Sequence, residues 1–194
     1  MKAAAFSRFR AASRSLLPLL LACCSLAACT DDAESPYAKG IKAFLRIDDL
    51  TGAQLLRAAL QSPGTFCTIT TNNARHTVTA YNGQTNQLNI TAVEQSYGRT
   101  ESICGFIAGT PSVPDMNGTW YNIAFDLACR NCYENDELYL RIALAFDSPV
   151  TVRCRRCSRI YDLENLGIVI SGEAGRPLFR YRIFYDGVRL VIQN

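Results

Sequence analysis

Apolar and polar residues alternate one by one along most of the chain beyond residue 64. The runs TFCTIT, RHTVTAY, QLNITAV, SICGFIA, TWYNIAF, LYLRIALAF, LFRYRIFY and VRLVIQ are rich in β-branched and aromatic residues, and Gly, Pro, Asn and Asp separate them. Successive side chains of a strand point to opposite faces, so this period of two predicts strands with one face buried. The Asn-Gly pair in YNGQ, residues 81–84, predicts a two-residue hairpin turn. One segment departs from the pattern. Residues 51–61 set Leu55, Leu56, Ala59 and Leu60 on one face of a helix, which SPG at 62–64 stops. No internal repeat or low-complexity stretch interrupts the series. The expected architecture is all-β, one domain of about ten to twelve strands in two packed sheets.

The first 28 residues read differently. Lys2, Arg8, Arg10 and Arg14 make a basic stretch without an acid, and residues 16–28 are apolar over the length of a signal peptide rather than of a membrane span. The stretch ends in Leu26-Ala27-Ala28-Cys29, which resembles a bacterial lipobox and makes Cys29 the expected lipid attachment. Thr30 in the next position resembles the Gram-negative pattern for sorting to the outer membrane, and TDDAE is similar to an acidic surface-display tag. The expected organisation is a signal peptide over 1–28, an acidic linker over 29–40 and one domain over 41–194. The expected location is the outer membrane, lipid-anchored, on the periplasmic side or at the cell surface. Acyl chains contribute about 0.8 kcal/mol per buried methylene, so two or more hold a domain stably.

The leader also changes the charge. Four of the twenty basic residues leave with it, and sixteen then face seventeen acids, a net charge of −1. Nothing in that balance points to nucleic acid; the expected partners are the membrane and an envelope protein. Eight arginines (153, 155, 156, 159, 176, 180, 182 and 189) fall in the last 42 positions and are expected to form a solvated face.

Nine cysteines become six once the leader is removed and Cys29 carries lipid: Cys67, Cys104, Cys129, Cys132, Cys154 and Cys157. An even set in an exported chain suggests disulfides. Cys67 and Cys104 fall mid-strand in two runs of similar length and are expected to form one. The other four make two Cys-x-x-Cys pairs 21 residues apart. Two residues between cysteines let a tight turn aim both thiolates at one ion, and two such turns complete a tetrahedron.

From residue 121 onward the segments YNIAFDLACRNC, VRCRRCSRIYDL, GIVISG, PLFRYRI and DGVRLVI resemble, in that order, a Rieske domain. The resemblance implies a Rieske-like β-sandwich with a small lobe, about residues 126–172, similar to zinc ribbons and rubredoxins. It also looks like Rieske-like lipoproteins in which the ligand histidines have become cysteines. Asn131 and Cys132 stand where the first box would carry its histidine, and Cys157 takes the second position. The chain's one histidine, His76, lies in a distant polar-patterned strand and is expected at the surface. Histidine ligation of a Rieske centre is therefore excluded.

Several occupants stay open for Cys129, Cys132, Cys154 and Cys157. A single zinc or iron ion on four thiolates is preferred, ahead of disulfides and of a four-cysteine [2Fe–2S] cluster. The leader has no twin-arginine pair, so the chain crosses the membrane unfolded, and this disfavours a preassembled cluster. Neighbouring arginines would offset the charge of a tetrathiolate. Asp126 and Asp162, the acids nearest the boxes, are candidates to hold the turns. Trp120 and Tyr121 are expected in the core. No catalytic set is present, which leaves a non-enzymatic lipoprotein with a metal, zinc or iron, held by cysteines. The alternatives are an electron-transfer protein with an iron or [2Fe–2S] centre, and a disulfide-stabilised interaction domain without metal. Thiol–disulfide exchange ranks last because both pairs border strand-like sequence rather than a helix start.

Overall fold

The computed structural model describes residues 37–135 and 139–194. The expected signal peptide, the expected lipid attachment at Cys29 and most of the expected linker lie outside those residues. Among the described residues, twelve strands form two antiparallel sheets. The larger has eight strands in the order β1 (Phe44–Ile47), β12 (Leu190–Gln193), β11 (Arg180–Tyr185), β6 (Ile123–Asp126), β5 (Phe106–Thr110), β2 (Thr65–Thr71), β3 (Arg75–Ala80) and β4 (Thr85–Asn89). The smaller runs β10 (Ile168–Ser171), β9 (Ile160–Asp162), β8 (Thr151–Cys154) and β7 (Leu144–Ser148). The expected all-β class and the two sheets are present.

The two central strands explain the layering. Every residue of β5 and β6 is buried, so neither face of the large sheet meets water there. Phe106, Ala108 and Ala124 face one core, shared with Leu56, Ala59 and Leu60 of helix α1 (Gln54–Gln61) and with Leu45, Leu190 and Ile192 from the curled β1–β12 edge. Ile107, Ile123 and Phe125 point the other way, into a second core closed by Val152 and Tyr161 of the small sheet and by Leu163 just after β9. Fully burying a side chain of this size contributes about 1.5–3 kcal/mol. Cys129, Cys132 and Cys154 belong to that second core. The candidate site is thus part of the packing between the sheets.

Local structure departs from the sequence pattern in three places. The hairpin between β3 and β4 closes through three residues, 81–83, with Gly83 at φ 80° and Ala80 N–H donating to the Gln84 carbonyl at 2.9 Å. Asn82 keeps a negative φ, which rules out the two-residue type I′ turn. Helix α2 (Ala92–Tyr97) follows β4 where a strand was expected; Thr91 and Glu94 form a reciprocal capping box at its start. Helix α3 (Arg130–Asn135) takes up the first cysteine box.

Asp126, at the end of β6, is fully buried and stitches these parts together. Its Oδ1 accepts from the N–H groups of Ala128 (2.7 Å) and Cys104 (3.2 Å), and its Oδ2 from Ile103 N–H (2.9 Å) and the Tyr181 hydroxyl (3.0 Å). Burial pushes the carboxyl above its ordinary pKa, and these four donors pull it back. Asp126→Ala would leave three N–H groups and a hydroxyl without a partner, at about 1–3 kcal/mol each when all stay buried. The expected loss of stability, after relaxation, is about 3–5 kcal/mol by urea unfolding. A loss under about 1 kcal/mol would show that the carboxylate is not an organising group.

Candidate metal centre

The two Cys-x-x-Cys boxes reach the site from opposite sides. Cys129 precedes α3 and is fixed by its own N–H donating to the Ile142 carbonyl (2.9 Å) and its carbonyl accepting from Tyr133 N–H (3.0 Å). Cys132 follows within the helix. Cys154 ends β8, and the turn to β9 carries Cys157. Ser158 N–H closes that turn onto the Cys154 carbonyl at 2.9 Å, and Ser158 sits at φ 59°. A left-handed residue after the second cysteine lets the chain reverse, so that Arg159 returns its carbonyl to Cys154 N–H at 2.9 Å.

All four Sγ atoms lie within 4.8 Å of one another. Cys129 and Cys157 approach to 3.6 Å, Cys132 and Cys154 to 3.7 Å. A disulfide would need about 2.05 Å. A tetrahedron with zinc–sulfur bonds of about 2.3 Å has edges of about 3.8 Å. The group can hold a metal ion on geometric grounds, and the cross-box pairs match tetrahedral edges. Three of the thiols are buried, while Cys157 is half-buried.

Neighbouring groups orient the sulfurs. Asn131 Nδ2 donates to the Tyr161 hydroxyl at 2.9 Å, which leaves that hydroxyl to donate to Cys129 Sγ at 3.1 Å. Asn131 is itself locked: its Nδ2 donates to the Arg176 carbonyl (2.8 Å), and its Oδ1 accepts from Arg176 N–H (2.9 Å). Gly175 makes room for that clamp, since a Cβ there would fall 2.5 Å from Asn131 Oδ1. Arg159 is 5 % exposed and anchored to the Glu173 carboxylate at 2.7 Å.

The thiols differ in acidity as a result. Burial pushes Cys129 up to about 11, although the Tyr161 hydroxyl and the Cys132 N–H favour its thiolate. Burial drives Cys132 upward as well. Burial opposes ionisation of Cys157 too, but the Arg159 N–H and side chain overcome it and bring the thiol down to about 7.

The sequence-predicted residues fare unevenly. The four box cysteines converge. Asp126 holds the backbone ahead of the first box, and Asp162 accepts from Glu164 N–H (2.9 Å), a turn cap. Arg159 alone of the nearby arginines reaches a thiol among the described contacts; Arg130 turns to Glu134 (3.0 Å) and Arg153 to Asp147 (2.7 Å). The expected Cys67–Cys104 disulfide does not form: both are free thiols. Cys67 stands opposite Ala108, and Cys104 lies four residues back along that path, roughly 13 Å of strand away. That far exceeds the roughly 4–7 Å between the α-carbons of a disulfide. His76 is 1 % exposed rather than at the surface, and Trp120 is exposed rather than in the core. The first box does open on a helix, against expectation, yet its leading thiol is buried and hard to ionise, the reverse of an exchange nucleophile. The clamp of Asn131, Tyr161 and Arg176 was missed; Gly175, two residues before PLFRYRI, was its only trace in the sequence.

No protein-family model matches the sequence, and no curated protein does.

In metal-free protein, Cys157 should be the first of the four to react with iodoacetamide at pH 7.5, because its thiolate fraction rises through about pH 7. Arg159→Gln should slow that alkylation several-fold. Peptide mass mapping reads both, and preferential labelling of Cys129 would contradict the assignment.

Proposed function

We propose that the chain is a non-enzymatic, lipid-anchored protein of the outer envelope whose β-domain is built around one metal ion, zinc or iron, on Cys129, Cys132, Cys154 and Cys157. The observation that carries this reading is the mutual spacing of the four sulfurs, with cross-box pairs at 3.6 and 3.7 Å. Those distances fit the edges of one tetrahedron and are far too long for disulfide bonds. A two-iron cluster holds its thiolate pairs on separate metals, and a set within 4.8 Å fits it less well than a single ion.

Four thiolates fill a tetrahedral shell and leave no open position, the arrangement of structural rather than catalytic metal sites. The residues around the cage favour that role: Tyr161 and the Cys132 N–H support Cys129, and Arg159 supports Cys157. The Rieske-like reading is supported by the order of the two boxes and the strands after them, and by a small sheet that carries the second box. The lipobox-like Cys29 supports anchoring to the membrane, and the function of such a domain would lie in contact with an envelope partner.

Elemental analysis of natively purified protein, paired with thiol counting, tests the centre. The expected result is about one equivalent of zinc or iron and no disulfide among the four cysteines. Stripping the metal should lower Tm by roughly 10 °C or more, as several kcal/mol of binding free energy is lost. Metal-free protein with Cys129, Cys132, Cys154 and Cys157 oxidised would remove the proposal. Iron with a visible chromophore and a reversible redox wave would instead place the domain in electron transfer.

Tyr161→Phe removes the hydroxyl that meets Cys129 while keeping the ring in the core. Metal affinity, measured by chelator competition, should fall about tenfold or more with the far-UV spectrum unchanged. Unchanged affinity would show that the hydroxyl does not support the cage.

A further inference from the structure

A cleft of about 1160 Å³ opens beside β2 and β3, walled by the chain from Gly98 to Gly105 and by Tyr133 and Arg141. The walls are largely polar, with Thr71, Asn72, Thr100 and Ser102 among them. Four cations line it: Lys42, Arg46, Arg99 and Arg141. Arg46 is already engaged, 2.9 Å from the Asp48 carboxylate and 3.5 Å from the Tyr97 ring centre. Lys42, Arg99 and Arg141 are exposed and have no carboxylate partner among the described residues.

Six arginines elsewhere are engaged. Arg153, Arg159, Arg176 and Arg189 each meet an acid within 3.2 Å, and Arg180 and Arg182 lie over the Tyr37 ring. Lys39, Arg57, Arg75 and Arg155 also lack a carboxylate partner among the described residues, but they are spread over the surface, whereas Lys42, Arg99 and Arg141 share one concavity. Of the two acids there, Glu94 spends its carboxylate on Asp48 N–H (2.8 Å), Thr91 N–H (2.7 Å) and the Thr91 hydroxyl (3.0 Å). Two acids, Glu94 and Glu101, thus face four cations there. His76 also lines the cleft: its Nδ1 lies 2.8 Å from the Thr71 hydroxyl, while its buried Nε2 has no hydrogen-bond partner. A buried polar atom left unpaired costs free energy that a bound molecule could recover.

We propose that this cleft binds a small soluble oxyanion, a polycarboxylate or a phosphorylated metabolite, held by Arg99, Arg141 and Lys42. Guanidinium groups match carboxylate and phosphate oxygens with two parallel hydrogen bonds, and the volume suits an organic ligand rather than a lone ion. Like charges gathered in one concavity raise the local potential and draw an anion in. The site does not depend on the four-thiolate centre.

The test is calorimetric titration of the purified full chain with citrate and, separately, with inorganic phosphate, using glycerol as an uncharged control. Saturable one-to-one binding of citrate that weakens about tenfold or more in Arg99→Gln/Arg141→Gln supports the site. Lys42→Gln alone should weaken it less. Both variants alter exposed side chains, and thermal melting together with unchanged metal content confirms that fold and thiolate centre survive. Absence of saturable heat with either anion overturns the proposal. So does citrate binding that the double variant leaves intact. Binding to phosphatidylglycerol vesicles with no binding of soluble anions would transfer the surface to lipid and end the soluble-ligand assignment.

Discussion

A carboxylate without water must find donors, and Asp126 finds four. Its position at the end of β6 places it where the large sheet, the second core and the first cysteine box meet. Ile103 and Cys104 give their N–H groups from the segment before β5, Ala128 from the turn into the box, and Tyr181 its hydroxyl from β11. A buried charge is costly unless its partners are complete, so the chain around it has little freedom to move. The same carboxylate that fixes the entry to Cys129 also fixes Ile103 and Cys104 in the cleft wall. Gly105 continues that wall at φ 128°, where a Cβ would lie 2.6 Å from the Ile69 carbonyl. Neither feature tolerates a bulkier or differently charged replacement.

Beyond that anchor, the four thiols are core residues as well as candidate ligands. Three of them are packed with Phe66, Phe125, Leu144 and Leu163 between the sheets. A small sheet of four short strands buries little surface alone, and these sulfurs join Val152, Tyr161 and Leu163 in its contact with the large sheet. Joining the two boxes through one ion would therefore cross-link α3 to the β8–β9 turn and add binding free energy where hydrophobic area is limited. The clamp from Asn131 to Arg176 brings the chain before β11 onto the same junction.

Legibility followed the period of each element. Strands with an uninterrupted alternation, such as RYRIFY at β11 and TFCTITT at β2, read correctly, and the two Cys-x-x-Cys pairs announced a convergent site. Short helices were hidden. Six residues give too little periodicity to see α2 or α3, although Thr-x-x-Glu at Thr91 and Glu94 is a helix-start signature that stood in plain view. His76 was misplaced because the polar look of RHTVTA masked its phase. It lies two residues before Val78, on the same face, and both are buried. The Cys67–Cys104 pairing failed on register, which length alone does not set: Cys67 sits opposite Ala108, and Cys104 falls before β5 begins. The oxyanion cleft was beyond reach, since Lys42, Arg99 and Arg141 come from three distant stretches brought together by tertiary folding.

The cage and the cleft divide the chemistry of the domain between them. Where four thiolates close a shell, nothing remains for a substrate to occupy, and burial of Cys129, Cys132 and Cys154 keeps solvent out. The cleft is the converse: open and polar, with four cations against two acids in its lining. The thiol centre and the cleft are joined through one carboxylate, Asp126, and the environment of each sets the charge of the groups beside it. Cys157 is tied to Arg159, and burial holds the His76 imidazole below its ordinary pKa with Glu94 opposing, so the ring facing the cleft is neutral near pH 7. A neutral imidazole contributes a hydrogen bond but not a second positive charge, and recognition of an anion there rests on the two guanidinium groups and the lysine.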